Sequence, residues 1–598
     1  MSGGAGRHRR RLRIALPVAV AAALLTTSAN AATVVPEPQA PATAATVAST
    51  PSQTELEQRI AGAIAAEDTA GTMTRSPMSG GKVDSTVSPM IIGGTTTTIT
   101  SAPWMAQLWY TDDQGTTDTS DDTGFFCGGA VVAPTKILTA AHCVKGADWA
   151  KGGAVVTGAT QLPSDDGDLH GGTATAVLRQ WYHPSYNADT IDNDIAVLTL
   201  AVPVKATPIR MTTSTDTASY DPATAGAKSA KVYGWGRTSS TSDAVSPTLK
   251  TATLPIKSDA TCGAAYGSWF IKGHMTCAGP PASGRDSGTT AICSGDSGGP
   301  LVVNGRIVGV VSWNVTDCVA KGAYSVFTKV SKYVGAAYPR VDDTNLSFDH
   351  KADLWVRKSS TKVGYELDSK GTTLAARLSW GDWNGVNLVR QTDLNRDGYQ
   401  DLLYRVSATG DVYWERFLPS TGAWADPKKV FTDWRTRTRI VTPGDLTGDY
   451  KPDLLSVDSA GVLWIYPGKG DGSFAARVRV GGGWSQYNQL LGHGDFTGDG
   501  KADVLARNKS TGDLYLYKGT GKSGTGVFAA RVKVRTNWSG YNAFDAVGDI
   551  TGDGRADLVA RTTAGTLYLY KGTGKATSEI FATRTSLGTG FQQYDIFG

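Results

Sequence analysis

At 598 residues the chain is longer than one hydrophobic core supports. Its 71 glycines, with abundant Thr, Ser, Asp and Asn, favour short strands and turns over long helices. A formal charge of +4 with 19% charged residues does not suggest nucleic acid or an acidic tail as partner, and none is expected. The chain opens with an export signal: a basic patch from Arg7 to Arg13, an apolar stretch over residues 14–25, and an A-x-A cleavage site at Ala29-Asn30-Ala31. That stretch is too short to cross about 30 Å of hydrocarbon, and no later segment is apolar enough to span a bilayer. Residues 1–31 are therefore read as a signal peptide and the mature protein as secreted and extracellular.

Residues 32–90 are rich in Ala, Thr, Pro and Ser and read as a propeptide, with a plain linker as the alternative. One helix is expected from about residue 54 to 68. Thr54 and Glu57 form a capping box, and Leu56, Ile60 and Ile64 share a face. The remainder reads as extended chain without a core. All six cysteines lie between Cys127 and Cys318. In an exported protein an even count confined to one region reads as disulfides within one domain, and no pair has metal-site spacing. The C-terminal half has no cysteine and must rely on its core, with help from bound ions.

Residues 91–340 carry short apolar strands and three chemical settings in order. The first runs Leu138-Thr139-Ala140-Ala141-His142-Cys143, the second Asp192-Asn193-Asp194-Ile195-Ala196-Val197-Leu198. The third runs from Cys293 to Val302 and holds Gly295-Asp296-Ser297-Gly298-Gly299. A nucleophile, a base and an acid in separate settings must converge in space to act together. These three motifs, in this order, resemble the signatures of the chymotrypsin/trypsin family of serine proteases. The resemblance implies an all-β fold with a two-barrel protease domain and hydrolysis of a polypeptide substrate without a cofactor. It implies Ser297 as nucleophile, His142 as general base and acid, and Asp194 behind it, with the N–H groups of Gly295 and Ser297 as oxyanion hole. It also implies disulfides Cys127–Cys143, Cys262–Cys277 and Cys293–Cys318.

Ile91-Ile92-Gly93-Gly94 resembles the family's mature N-terminus, which implies a zymogen: cleavage after Met90 frees the Ile91 amino group to pair with Asp296. Activity is then expected to fall at high pH as that ammonium deprotonates and at low pH as His142 protonates. Met90 departs from the Arg or Lys cut in trypsin-like zymogens, so another protease cuts there or the enzyme cuts itself. The specificity pocket departs as well. Ala291, followed by Ile292, stands where trypsins carry Asp. Ser312 and Trp313 keep the substrate-pairing strand, but Asn314 and Ser325 replace two glycines and add bulk. The expected P1 residue is apolar and small to medium, between chymotrypsin-like and elastase-like preference.

From residue 346 a motif repeats at intervals of 50–54 residues. Its four copies are Asp393, Asn395, Asp397 and Asp401; Asp445, Thr447, Asp449 and Asp453; Asp495, Thr497, Asp499 and Asp503; and Asp549, Thr551, Asp553 and Asp557. A degenerate fifth copy holds Asp349 and Asp353. This period, with several short strands per copy, points to propeller blades, and the pattern resembles FG-GAP/VCBS-type repeats. The tail from Phe591 to Gly598 matches Tyr541–Gly548, so the last strand is expected to join the first blade and close a ring of five. Oxygen ligands at alternating positions suit Ca²⁺, and an ion-free Asx-turn network is the alternative. Tyr450, in place of Gly, weakens the second loop. Trp383, Trp434, Trp484 and Trp538 recur before the loops, either to stack on a glycan or cell-wall ligand or to fill the blade cores. The rival to a protease is a lectin-like binding protein whose protease half is inactive; the unaltered triad and oxyanion residues favour the protease.

Overall fold

The computed structural model describes residues 51–70, 91–116, 122–164, 167–212, 214, 228–315, 317–342, 344–347, 349, 351–418, 421–553 and 555–598. The signal peptide and the cut after Met90 lie outside these residues. The expected helix is α1 (Gln53–Ala70). Its cap is Ser52 and not Thr54: the Glu55 N–H donates to Ser52 Oγ at 3.1 Å. Ser52 and Glu55 have the same capping spacing as Thr54 and Glu57, and the earlier pair starts the helix sooner. Leu56 and Ile60 are buried, and Ile64 is half-buried.

The first barrel closes through β1 (Met105–Asp112), β2 (Thr123–Ala133), β3 (Lys136–Thr139), β4 (Gly153–Thr157), β5 (Thr173–Tyr182) and β6 (Ala196–Leu200), in the order β1-β2-β3-β6-β5-β4. Burial is continuous along β1 from Met105 to Tyr110 and along β2 from Phe125 to Ala133. Antiparallel strands with one wet face would alternate, so both faces of this sheet are covered. A second sheet runs β7 (Ser229–Gly234), β8 (Lys250–Pro255), β9 (Met275–Ala278), β10 (Pro300–Val303), β11 (Arg306–Trp313) and β12 (Ser325–Lys329), in the order β8-β7-β10-β11-β12-β9. The three expected disulfides are formed, Cys127–Cys143, Cys262–Cys277 and Cys293–Cys318. Helix α2 (Val330–Val341) follows.

Behind α2 stand five four-stranded blades. The tail strand Tyr594–Phe597 pairs antiparallel with Leu354–Lys358 of the first blade, so the ring closes as expected. Five apolar clusters pack between neighbouring blades, each drawing side chains from two of them. Trp383, Trp434, Trp484 and Trp538 lie in these clusters at 0%, 6%, 7% and 7% exposure. They are blade core, and their faces are not open to a sugar ring.

The propeller meets the two-sheet domain with its Asp-loop face. Asp393–Asp401 approaches Thr135 through Gly398, the Met211 N–H donates to the Tyr450 hydroxyl at 2.7 Å, and the Ser214 N–H donates to Asp499 O at 3.3 Å. These contacts sit where strands begin. Thr135 precedes β3, and Met211 pairs with Ile307 near the start of β11. His142 and Ser312 lie at the far ends of the same strands. Ile307 and Ser312 are about 17 Å apart along β11, so these propeller contacts lie at the opposite end of the strand from Ser312.

Candidate active site

Three strand ends assemble the site. β3 and β6 pair antiparallel with Thr139 opposite Ala196. That register puts the short turn Ala141–Cys143 after β3 beside the residues preceding β6, and so His142 beside Asp194. His142 Nδ1 and Asp194 Oδ2 are 2.9 Å apart, and the His142 backbone N–H donates to Asp194 Oδ1 at 2.9 Å. Asp194 is wholly buried and His142 is 5% exposed. Two hydroxyls from the second sheet hold the acid in place: Ser312 Oγ donates to Asp194 Oδ2 at 2.7 Å and Thr328 Oγ1 to Asp194 O at 2.6 Å. A carboxylate facing Nδ1 places the ring proton there and leaves Nε2 as the basic atom.

Ser297 lies in the turn before β10. The Gly128 N–H donates to Ser297 O at 2.7 Å, and the Gly298 N–H to Val311 O at 2.9 Å, tying the turn to β2 and β11. Gly295 has φ +90°, a conformation that side chains resist. Among the described residues the N–H groups of Gly295 and Ser297 donate to no acceptor. Between them, Asp296 turns inward. Its Oδ1 accepts from the Gly236 N–H at 2.9 Å and its Oδ2 from the Cys293 N–H at 3.0 Å. Burial pushes its pKa up to about 7, with the two N–H donors pulling it down. Ile91 is fully buried, and the Ala291 N–H donates to Ile92 O at 3.0 Å. In this uncut chain Ile91 has no free amino group to offer Asp296.

The expected pocket residues form one cross-linked wall. The Ile292 N–H donates to Ser325 Oγ at 3.0 Å, and Asn314 Nδ2 donates to Ile292 O at 2.8 Å. Ala291, Ile292 and Ser325 are buried. The two residues that replace glycine thus tie the Ile292 strand to the facing wall, with no carboxylate at Ala291. Sequence reasoning missed Tyr266: its ring packs edge-on against Trp313 at 4.9 Å, and its hydroxyl accepts from the Tyr324 N–H at 2.6 Å. No motif surrounds Tyr266, so only the fold reveals it.

In the propeller loops the ninth-position acids mostly fasten backbone. Asp453, Asp503 and Asp557 each accept backbone N–H groups on both oxygens. Among the described residues, three carboxylates converge within 4.8 Å at Asp353, Glu366 and Asp368, and not in the four repeated loops. The first loop differs from the others. Asn395 Oδ1 and Asp401 Oδ1 are buried without a hydrogen-bond donor, and burial pushes Asp393 up to about 7. Acceptor-only oxygens in a sealed loop fit a hard cation.

The trypsin family model matches residues 91–336, and an FG-GAP-like repeat model matches residues 495–560. The chain is 38% identical to a trypsin of Saccharopolyspora erythraea over 243 residues, covering 41% of this chain and 94% of that one. It is 34% identical to human kallikrein-14 over 247 residues, 41% and 81% of the two chains. It is 33% identical to trypsin I-P1 of Gallus gallus over 245 residues, 41% and 86%. The chain belongs to the trypsin family of serine proteases, with an FG-GAP-like repeat propeller joined behind its protease domain.

Proposed function

We propose that this protein is a secreted serine endopeptidase made as a zymogen. In this reading Ser297 Oγ attacks the scissile carbonyl and gives its proton to His142 Nε2. The Gly295 and Ser297 N–H groups receive the developing oxyanion. His142 then protonates the leaving amine, and water releases the acyl group from Ser297 by the same route in reverse. Asp194 holds the imidazole tautomer and the charge it gains. The observation that carries the reading is the buried His142–Asp194 pair, fixed from both halves of the domain, beside a turn whose two N–H groups have no acceptor among the described residues. Each such donor is worth about 10²–10³ in rate.

Burial of Asp296 with no charge partner among the described residues supports activation by cleavage before Ile91: a new ammonium there would compensate the carboxylate. The cross-links from Asn314 and Ser325, with Ala291 in place of an acid, support a small to medium apolar P1 residue, even though two of the relatives above are named trypsins. Calcium belongs to the same proposal. Asp393, Asn395, Asp397 and Asp401 would hold it, and the ion would neutralise their buried charge and stiffen the loop against the protease.

The test is a P1-scanned peptide library with enzyme whose N-terminus is sequenced as Ile91, beside a Ser297→Ala control. Cleavage after Val, Leu or Met, absent in the control, supports the reading. Cleavage after Arg or Lys overturns the pocket assignment, and no cleavage overturns the enzyme. For calcium, a rise in melting temperature on adding the ion, lost in Asp393→Ala, is expected; no rise leaves the loop an ion-free turn.

A further inference from the structure

Helix α1 lies ahead of the proposed cut, yet it is built into the protease. Leu56, Ile60 and Ala63 belong to the same apolar cluster as the first barrel. The Arg59 guanidinium donates to Gly153 O at 3.0 Å and to Glu55 Oε1 at 2.7 Å, so it joins the helix to β4. The closest approach is at Gly124 on β2. A Cβ there would stand 2.6 Å from Ala63 O and 2.7 Å from Ala66 Cβ. Facing it, Gly62 packs on Thr111 of β1, where a Cβ would meet Oγ1 at 3.0 Å. Small residues on both sides let the helix backbone seat directly on the strands.

Alternation along β2 puts Gly124, Phe126 and Gly128 on one face. Gly128 points at the nucleophile turn: a Cβ there would lie 3.4 Å from Gly299 N and 3.5 Å from Ser297 O. The helix seat and the Ser297 turn therefore share a face of one strand, about 13 Å apart. Removing the helix would open apolar surface on the first barrel, where Leu56, Ile60 and Ala63 pack.

Resting on the reading that the chain is cut before Ile91, we propose that α1 is not shed on activation. It stays on the barrel as a non-covalent light chain, seated at Gly124. The partner that this surface fits is the chain's own 51–70 segment.

The experiment cuts the full-length precursor until sequencing shows Ile91, then runs it on a sizing column in native buffer, with mass spectrometry of the protease peak. About one N-terminal fragment per protease is expected, released by denaturant. Loss of the fragment from the native peak overturns the proposal. If no cut occurs before Ile91, the activation reading fails. The inference is then tested with a site-specific protease sequence inserted between Ala70 and Met90, under the same readout. The Gly124→Val variant discriminates further. The φ of Gly124 lies outside the left-handed region, Val suits a strand, and the atoms nearest to an added Cβ all belong to the helix. Gly124→Val should fold but retain less than about a tenth of the fragment after the cut. Full retention in that variant would overturn the seat.

Discussion

Arg340, in the last turn of α2, donates to Asp549, the first residue of the fifth blade's loop, at 2.7 Å with side-chain exposures of 2% and 8%. This ion pair closes the junction between protease and propeller. Breaking a buried pair by removing one member strands the other charge and costs about 3–5 kcal/mol, whereas replacing both with apolar groups costs far less. Arg340→Met is expected to lower the melting temperature of the full chain and to expose the segment after α2 to limited proteolysis. Arg340→Met with Asp549→Leu should recover most of the loss. Calorimetry of the two variants checks this, and a double variant as unstable as the single one would show that the pair does not hold the domains.

The junction also shows what the sequence could and could not reveal. The three motifs lead to the site because each chemical role needs its own residue type, and the β3–β6 register then brings His142 to Asp194. The repeats lead to five blades because each Asp loop precedes a strand. The same repeats made Tyr450 look like a flaw, standing where other copies have glycine, and Arg396 departs from glycine in the same way. In the structure both reach the protease. Arg396 pairs with Asp342 at 3.0 Å, and Tyr450 accepts from Met211 and packs beside Tyr338 at 6.2 Å. A departure from a repeat gives no hint of its partner when that partner is 239 residues away. The tryptophans pose the opposite problem: their spacing is regular, but spacing alone does not separate a blade core from a binding face.

Ser312 donates to Asp194 on the oxygen that faces His142. Its backbone belongs to the substrate-pairing strand, while its hydroxyl acts by positioning the acid. A hydrogen bond to a charged group is worth about 1.5–3 kcal/mol, so Ser312→Ala should lower kcat about tenfold or more. KM should stay nearly unchanged, and Ser312→Thr should restore part of the rate. Steady-state kinetics on one peptide ester check it. A change confined to KM would place Ser312 in substrate binding instead.

Asn314 ties the pocket wall at Ile292 to the facing strand. Asn314→Gly removes that tie and the volume of the side chain. The kcat/KM ratio for Phe over Val at P1 is expected to rise about tenfold, the order that one or two buried methylene equivalents supply. Ala291→Asp alone should not install efficient cleavage after Arg, because the Asn314 side chain and its tie to Ile292 remain. Paired peptide substrates decide it, and an unchanged Phe/Val ratio would move the constriction elsewhere.

Asp296 gives the uncut precursor a distinctive pH dependence. Burial raises its folded pKa to about 7, above the value near 3.9 expected of the unfolded chain. A raised acid favours the protonated folded state, so its contribution to stability is complete below pH ~4 and is lost as pH rises through 7. Over that window the slope approaches about 1.4 kcal/mol per pH unit for one proton. Denaturant unfolding of the Ser297→Ala precursor at pH 4.5, 6 and 7.5 should show this fall, and Asp296→Asn should flatten it. If cleavage before Ile91 places an ammonium beside the carboxylate, the cut protein should lose the slope as well, because the paired carboxylate then stays ionised in the folded state. A cut protein with the same slope as the precursor would mean that Ile91 does not reach Asp296.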